Sequence, residues 1–296
     1  MAEFRKIVVC GVGLIGGSFA LALKQAAAGG ACEIVGMGRS RATLDEALRH
    51  GVIDRCGAGW DTAMAGADLV LLAMPVGQME AVMLQLAPHL EPQTVLSDGG
   101  STKQDVIAAA RRVLGDKICQ FVPGHPIAGA ERSGVAAAQA DLYRGKRVVL
   151  TPLPENTPAA VARVRLAWES CGAQVSELAA EAHDHIFAAV SHLPHLLAFA
   201  LVHEFAGREN SGQLFAFAAG GFRDFTRIAS SHPEMWRDIC IANRAALIRE
   251  LDAYQAELLR TRVLLARADG AALEAMFGKA RTARDAWLEA MPPSGE

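Results

Sequence analysis

The sequence has no Cys-x-x-Cys pair, no excess of one charge, no internal repeat and no uninterrupted apolar run of about 18 residues. Each of these gaps removes a class of protein. Six cysteines (Cys10, Cys32, Cys56, Cys119, Cys171, Cys240) are scattered, some inside apolar runs such as Ile7-Val8-Val9-Cys10. There a free thiol packs as a small hydrophobe, which excludes a disulfide frame or a zinc site and fits a reducing compartment. A net charge of −3, with both signs interspersed, gives no reason to expect nucleic acid or an anionic membrane as partner. Without a long apolar run, no membrane span is expected. The N-terminus, Met1-Ala2-Glu3-Phe4-Arg5-Lys6, leads directly into a strand-like run and leaves no room for a signal peptide. The expected location is the cytoplasm.

What remains is a 296-residue chain, 51% apolar, with two textures. That length can bury one large core or two modest ones. Up to about residue 178, short β-branched runs alternate with helical patterns: Ile7–Cys10, Glu33–Met37, Leu69–Met74, Thr94–Asp98, Gln120–Pro123, Arg147–Thr151 and Gln174–Leu178. Continuous apolar runs such as Leu69–Met74 are what central parallel strands require, because helices cover both faces. From residue 179 the strand signal stops, and helical segments are expected near Ala179–Arg208, Ser211–Ala219, Pro233–Ala268 and Gly270–Met291. The fold class read from this is an α/β Rossmann-like dinucleotide-binding domain, 1–178, followed by an all-α domain, 179–296. Val190, Leu193, Leu196, Leu197, Phe199, Ala200 and Val202 leave the first of those helices little polar surface. Either an internal helical core or helices interlocked between two chains satisfies that pattern. A homodimer through the C-terminal helices is the expectation carried forward.

The first strand runs into Gly11-Val12-Gly13-Leu14-Ile15-Gly16-Gly17-Ser18 and then an apolar helix. A lone G-x-G-x-x-G is weak, but this one follows a strand and opens a helix. Gly11 permits the turn, Gly13 lets a pyrophosphate approach, and Gly16 lets helix and strand pack closely. Leu14 and Ile15 then begin the helix whose free N–H groups bind the anion. Met74 and Pro75, ending the Leu69–Met74 run, are placed beside the same cofactor. The second strand ends in Gly38-Arg39-Ser40-Arg41, with glycine where NAD-binding sheets usually carry an acid. Arg39 and Ser40 suit a 2′-phosphate; Arg41 either helps or simply begins the next helix as a solvated charge. NADP is therefore favoured over NAD.

About a hundred residues on, Gly124-His125-Pro126-Ile127-Ala128-Gly129 frames a histidine in what reads as a tight loop. Hydride transfer from an alcohol needs a base for the hydroxyl proton, and imidazole titrates in the right range. Ser101, in Asp98-Gly99-Gly100-Ser101-Thr102-Lys103, follows another strand end, so the two side chains can meet over a nicotinamide. His192 and His195, three apart in Ser191-His192-Leu193-Pro194-His195, invite a metal reading. No Glu or Cys ligand matches their spacing and Pro194 lies between, so no metal is expected. Lys103 reads as a helix-start charge, while His183 and His185 read as solvent-facing near a helix start.

Taken in order, GxGLIGGS at 11–18, DxGSxK at 98–103, GHPxAG at 124–129, SHLPH at 191–195 and GGFRDxTR at 220–227 resemble the prephenate/arogenate (cyclohexadienyl) dehydrogenases of tyrosine biosynthesis. The resemblance implies oxidative decarboxylation of prephenate or arogenate with hydride transfer to NAD(P). It implies that His125 bonds the substrate's ring hydroxyl and assists its deprotonation, and that Ser101 bonds His125 near the nicotinamide. It further implies that Arg227 binds a substrate carboxylate, with Asp224 and Glu131 as its acidic partners. His195, His192 and Ser191 would line the substrate pocket and Trp236 its mouth. Two positions depart from the family pattern, Gly99 and Gly38, and the second bears on cofactor choice. From the residues alone, Arg223 competes with Arg227 for the carboxylate. A β-hydroxyacid dehydrogenase and a non-enzymatic NADP-binding sensor are the alternative readings. The first would need a catalytic lysine where this chain has Ser191–His195.

Overall fold

A computed structural model describes residues 4–27, 32–129 and 133–290. Strands and helices alternate along β1 (Lys6–Cys10), α1 (Leu14–Ala26), β2 (Glu33–Met37), α2 (Arg41–Arg49), β3 (Arg55–Cys56), α3 (Trp60–Met64) and β4 (Leu69–Leu72). They continue through α4 (Met79–Leu86), β5 (Val95–Asp98), α5 (Gln104–Leu114) and β6 (Phe121–Val122). These strands form one parallel sheet in the order β3-β2-β1-β4-β5-β6, the doubly wound arrangement whose order reverses beside β1. Strand periodicity explains the continuous apolar runs. Ile7, Val9, Ile34, Leu69 and Leu71 enter one core, while Val8, Cys10, Val35, Val70 and Leu72 enter the other on the opposite face. The first core is closed by Trp168 of α6 (Pro158–Ser170), whose ring packs edge-on against Phe19 and Tyr143.

A second, three-stranded sheet joins β7 (Gly124–Pro126), β8 (Arg147–Leu150) and β9 (Gln174–Glu177). β7 runs antiparallel to β8 with His125 opposite Val149. The histidine expected on a loop therefore sits in a short strand, pinned by ladder pairing. Glycine and proline signal a turn from sequence, yet both fit a three-residue edge segment.

Beyond β9 the described residues are helical: α7 (Ala180–Phe187), a π-helical turn (Ala188–His192), α8 (Leu193–Ala206), α9 (Ser211–Ala216), α10 (Gly220–Thr226) and α11 (Pro233–Ala242), then α12 (Arg244–Ala266) and α13 (Gly270–Glu289). The wide turn ends just before Pro194, which has no N–H to return to the preceding turn. The single segment expected over Pro233–Ala268 is split at Asn243, whose side chain is taken by long-range hydrogen bonds. Residues 180–206 are long and apolar enough to cross a membrane by length and composition, with mean hydropathy 1.6. Their buried His183 and Asp184 are instead hydrogen-bonded within the protein. The chain divides into two compact units, Met1–Leu247 and Ile248–Glu296. Within the second, Asp269 caps α13 by accepting from the Ala272 N–H at 3.0 Å, and Leu259, Leu265, Phe277 and Trp287 are exposed.

Candidate active site

The carboxyl ends of β1, β4 and β5 open on one edge of the sheet, where such folds bind ligands. Gly11 follows β1 with φ +92, and a Cβ there would lie 2.7 Å from the Ala73 carbonyl oxygen and 3.0 Å from the Met74 nitrogen. At Gly16 a Cβ would come within 2.2 Å of the Gly11 carbonyl, so the turn and α1 can approach this closely only with glycine. Nothing lies within 4 Å of where a Gly13 Cβ would project, and Gly13 leaves the N-terminus of α1 without a side-chain cap. Open space beside uncapped amides fits a dinucleotide pyrophosphate, with Leu14 and Ile15 starting the helix and Met74-Pro75 beside it.

At the end of β2, a Cβ on Gly38 would make only ordinary contact, 3.6 Å from Leu44. Ser40 caps α2 by accepting from the Thr43 N–H at 3.2 Å. Arg41 begins α2 and pairs with Asp45 at 2.9 Å, both exposed, which is the solvated-charge alternative. Arg39 is exposed at the same corner.

Beyond β5 lies a wholly buried ion pair. Lys103 and Asp98 are both fully buried, with Nζ donating to Asp98 Oδ2 and, at 2.7 Å, to the Gly124 carbonyl. Asp98 also accepts from the Gly100 N–H at 2.8 Å and the Gly124 N–H at 3.1 Å. Lys103 is thus no surface charge; it ties the strand bearing His125 to β5. His125 itself is 9% exposed, with Phe187 edge-on at 4.8 Å. Its Nδ1 lies 2.9 Å from His183 Nε2, and His183 Nδ1 lies 2.9 Å from Asp184 Oδ1. Burial, then His183, Lys103 and His192, hold the His125 ring well below the usual histidine range. It is therefore a neutral base at pH 7.

These contacts revise two expectations. His183 is not solvent-facing but fully buried, although His185 is exposed. The signal lay in the spacing: Phe187, four residues on, is apolar and shares its helix face. The hydrogen bond between Ser101 and His125 implied by the resemblance is not formed among the described residues; the ring's Nδ1 meets His183 instead. Ser101 is half-buried at the β5 edge.

The helical half supplies the other wall. His192 is buried beside Asn243, whose Nδ2 is 3.1 Å from His192 Nδ1. His195 stacks on Trp236 with ring centroids 3.7 Å apart, and its Nδ1 lies 2.9 Å from the Ser191 carbonyl. Trp236 Nε1 is a buried polar atom without a hydrogen-bond partner, as expected of a group facing a ligand. Burial lowers the His195 ring, the Ser191 carbonyl opposes this, and the charge of Arg227 adds to the lowering. Arg223 is 82% exposed, and Arg227 also lies in the exposed class. Asp224 pairs with Arg223 at 3.4 Å, both on the exposed surface. Glu131 lies outside the described residues. Among those described, no group of His, Cys, Asp and Glu could hold a metal ion.

Burial also holds His192 down, to about 4, and lowers His183, whose bond to Asp184 opposes the shift. Unfolded imidazoles bind protons near pH 6.5 that these folded rings refuse, so stability is level above that pH and falls below it. The expected slope is up to about 1.4 kcal/mol per pH unit for each such ring. Urea titrations at pH 7.5 and 5.0 measure it; equal stabilities would mean that the rings are protonated in the fold.

Comparison with known proteins follows this geometry. The sequence model for the prephenate dehydrogenase nucleotide-binding domain matches residues 19–177, and that for the prephenate dehydrogenase dimerization domain matches 179–279. The chain is 38% identical to a prephenate dehydrogenase of Bacillus subtilis, over 94% of this chain and 75% of that protein. It is 36% identical to a cyclohexadienyl dehydrogenase of Zymomonas mobilis, over 96% of each. The structure of the prephenate dehydrogenase from A. aeolicus, in complex with hydroxyphenyl propionate and NAD+, matches with a TM-score of 0.88 at 33% identity, covering 95% of this chain and 97% of that one.

Proposed function

The chain belongs to the prephenate dehydrogenase family, and from that premise we propose that it oxidatively decarboxylates prephenate, arogenate or both, in tyrosine biosynthesis. The observation that carries this reading is the buried, neutral His125 held at the ligand edge of a dinucleotide-binding sheet. A dinucleotide held by Gly11, Gly13, Gly16 and the start of α1 would supply the acceptor for the hydride on the ring carbon that bears the hydroxyl. His125 takes the proton of that hydroxyl, making the carbon–oxygen bond a carbonyl. The bond to the ring carboxylate then breaks, and its electron pair enters the ring. The resulting phenolate recovers the proton from His125, so the imidazole ends neutral and carbon dioxide leaves. Aromatisation drives the sequence, and the protein's share is alignment, a base and anion recognition.

Arg227 is the proposed carboxylate ligand, because a guanidinium offers two parallel donors and the charge of this one acts on the His195 ring. His192, His195, Ser191 and Trp236 are the proposed pocket lining, and Ser101 the neighbour of the reacting hydroxyl. Asp224 and Glu131 are proposed to act at the entrance. The β-hydroxyacid dehydrogenase reading falls with the family assignment. Lys103, the lysine nearest the base, is spoken for by Asp98 and Gly124. Exposed Val190, Phe217 and Phe225 in the first unit, and Leu259, Leu265 and Trp287 in the second, suit a homodimer. The free thiols suit the cytoplasm.

NADP is the proposed coenzyme, on Arg39 and on glycine at 38. Gly38→Asp fits sterically and places a carboxylate where a 2′-phosphate would sit. It is expected to raise KM for NADP by about 30-fold and to lower that for NAD, from like-charge repulsion of roughly 2 kcal/mol. Steady-state assays of prephenate and arogenate with both coenzymes test the whole reading. Turnover of neither dienol would overturn it, and a wild-type preference for NAD would overturn the coenzyme choice alone.

A further inference from the structure

We propose that His183 and Asp184 are positioning residues that lock His125 in the one neutral tautomer able to accept the substrate's proton. This rests on His125 being the base, and it adds two residues to the reaction: His183, which the sequence alone left facing solvent, and Asp184 beside it.

The hydrogen-bonded network begins at the start of α5. That helix has no side-chain cap of its own. Asp184 caps it from α7: Oδ1 accepts from the Lys103 N–H and Oδ2 from the Gln104 N–H, each at 2.9 Å. Burial alone would push this carboxyl up, but His183 and the two amides hold it below the usual carboxylate range. Asp184 is therefore an anchored, ionised acceptor. A carboxylate has no proton to give, so the proton in the 2.9 Å contact to His183 must sit on His183 Nδ1.

Burial lowers His183, and the Lys103 charge adds to that against Asp184 and Asp98, so the ring is neutral at pH 7. A neutral imidazole with its proton on Nδ1 has a bare Nε2. The 2.9 Å contact from that atom to His125 Nδ1 then requires the proton on His125 Nδ1. By the same logic His125 Nε2 is bare, and it is the ring atom left to take a proton from an alcohol. Each hydrogen bond dictates the next, from a helix N-terminus to the reacting atom. Phe187, within 4.8 Å of both rings, shields this chain from water that would let the tautomers exchange.

The arrangement also accounts for the buried lysine. The Lys103–Asp98 pair lies against the same strand as His125, and the lysine's charge disfavours a second, charging proton on either ring. The relay therefore orients the base without charging it.

Two measurements test the proposal. In protein labelled with 15N-histidine, and assigned by loss of a signal in His125→Asn, the wild-type Nε2 of His125 should resonate as a bare imine nitrogen and Nδ1 as a protonated one. His183→Leu removes the acceptor, and there the His125 signals should shift toward the other tautomer. In the same variant kcat should fall by about 100-fold, with KM for both substrates within about threefold. His183→Gln keeps an amide oxygen for His125 Nδ1–H, and should recover at least about tenfold of that loss. A purely structural role would lower the melting temperature without moving either the tautomer or kcat. A protonated Nε2 on wild-type His125, or a folded His183→Leu variant with undiminished kcat, would overturn the relay. The ring measurement needs no substrate, so it decides the relay even if the unsubstituted protein turns over neither dienol, an outcome that would sink the functional reading alone.

Discussion

Replacing His125 with asparagine is expected to lower kcat by roughly three orders of magnitude while dinucleotide affinity stays within about twofold. Asparagine keeps a polar side chain of similar reach in β7, and its amide can still meet His183. It cannot take a proton at neutral pH, so the alcohol must lose its proton to water as the hydride leaves. The cofactor cradle is built from Gly11, Gly13, Gly16 and the start of α1, none of which the substitution touches. Fluorescence titration with NADPH and stopped-flow turnover separate the two quantities. Parallel loss of both would mean that His125 holds the fold together rather than performing chemistry, and turnover at the wild-type rate would remove it from the mechanism.

Lys103→Met should cost about 3–5 kcal/mol of stability, because it leaves the fully buried Asp98 carboxylate without its counter-charge. The two backbone amides that Asp98 also binds do not carry a full positive charge, so they cannot replace the ammonium. The Gly124 carbonyl loses a partner at the same time, one residue from the base, so surviving activity should fall as well. Urea denaturation measures the first effect. Arg112→Met is the internal comparison: its pair with Glu80 is 60% and 45% exposed, and its loss should cost less than about 1 kcal/mol. Equal losses in the two variants would show that Lys103 is not the partner of a buried ion.

How far the sequence reached depends on the range of each interaction. Six of the seven strands read from the chain were recovered within one residue at each end, and the seventh, Leu69–Met74, ends two residues early at Leu72 because Ala73 and Met74 turn over the Gly11 bend. β-Branched runs between glycines are local signals, and parallel strands buried on both faces leave little ambiguity. Glycines 11, 13 and 16 were legible for the same reason: their roles follow from the turn they make. The two-residue β3 and the His125 strand were not legible, because neither carries a period of its own and each exists only through its neighbour in a sheet. The split helix at Asn243 was missed because asparagine is tolerated within helices. What breaks the helix there is a side chain called away to Asp184 and His192, residues some fifty positions earlier.

The chain by itself determined the order of its elements, the dinucleotide turn and the identity of a histidine suited to chemistry, since each rests on residues within a turn or two of one another. Only the tertiary structure decided which nitrogen of that histidine is free, that Lys103 is entombed with Asp98, and that His183 lies inside rather than out. Those are matters of hydrogen-bond partnership and burial between segments up to 81 positions apart, from Lys103 to Asp184. The direction of a proton in such a network is set by the last acceptor in the line, which no local pattern can name.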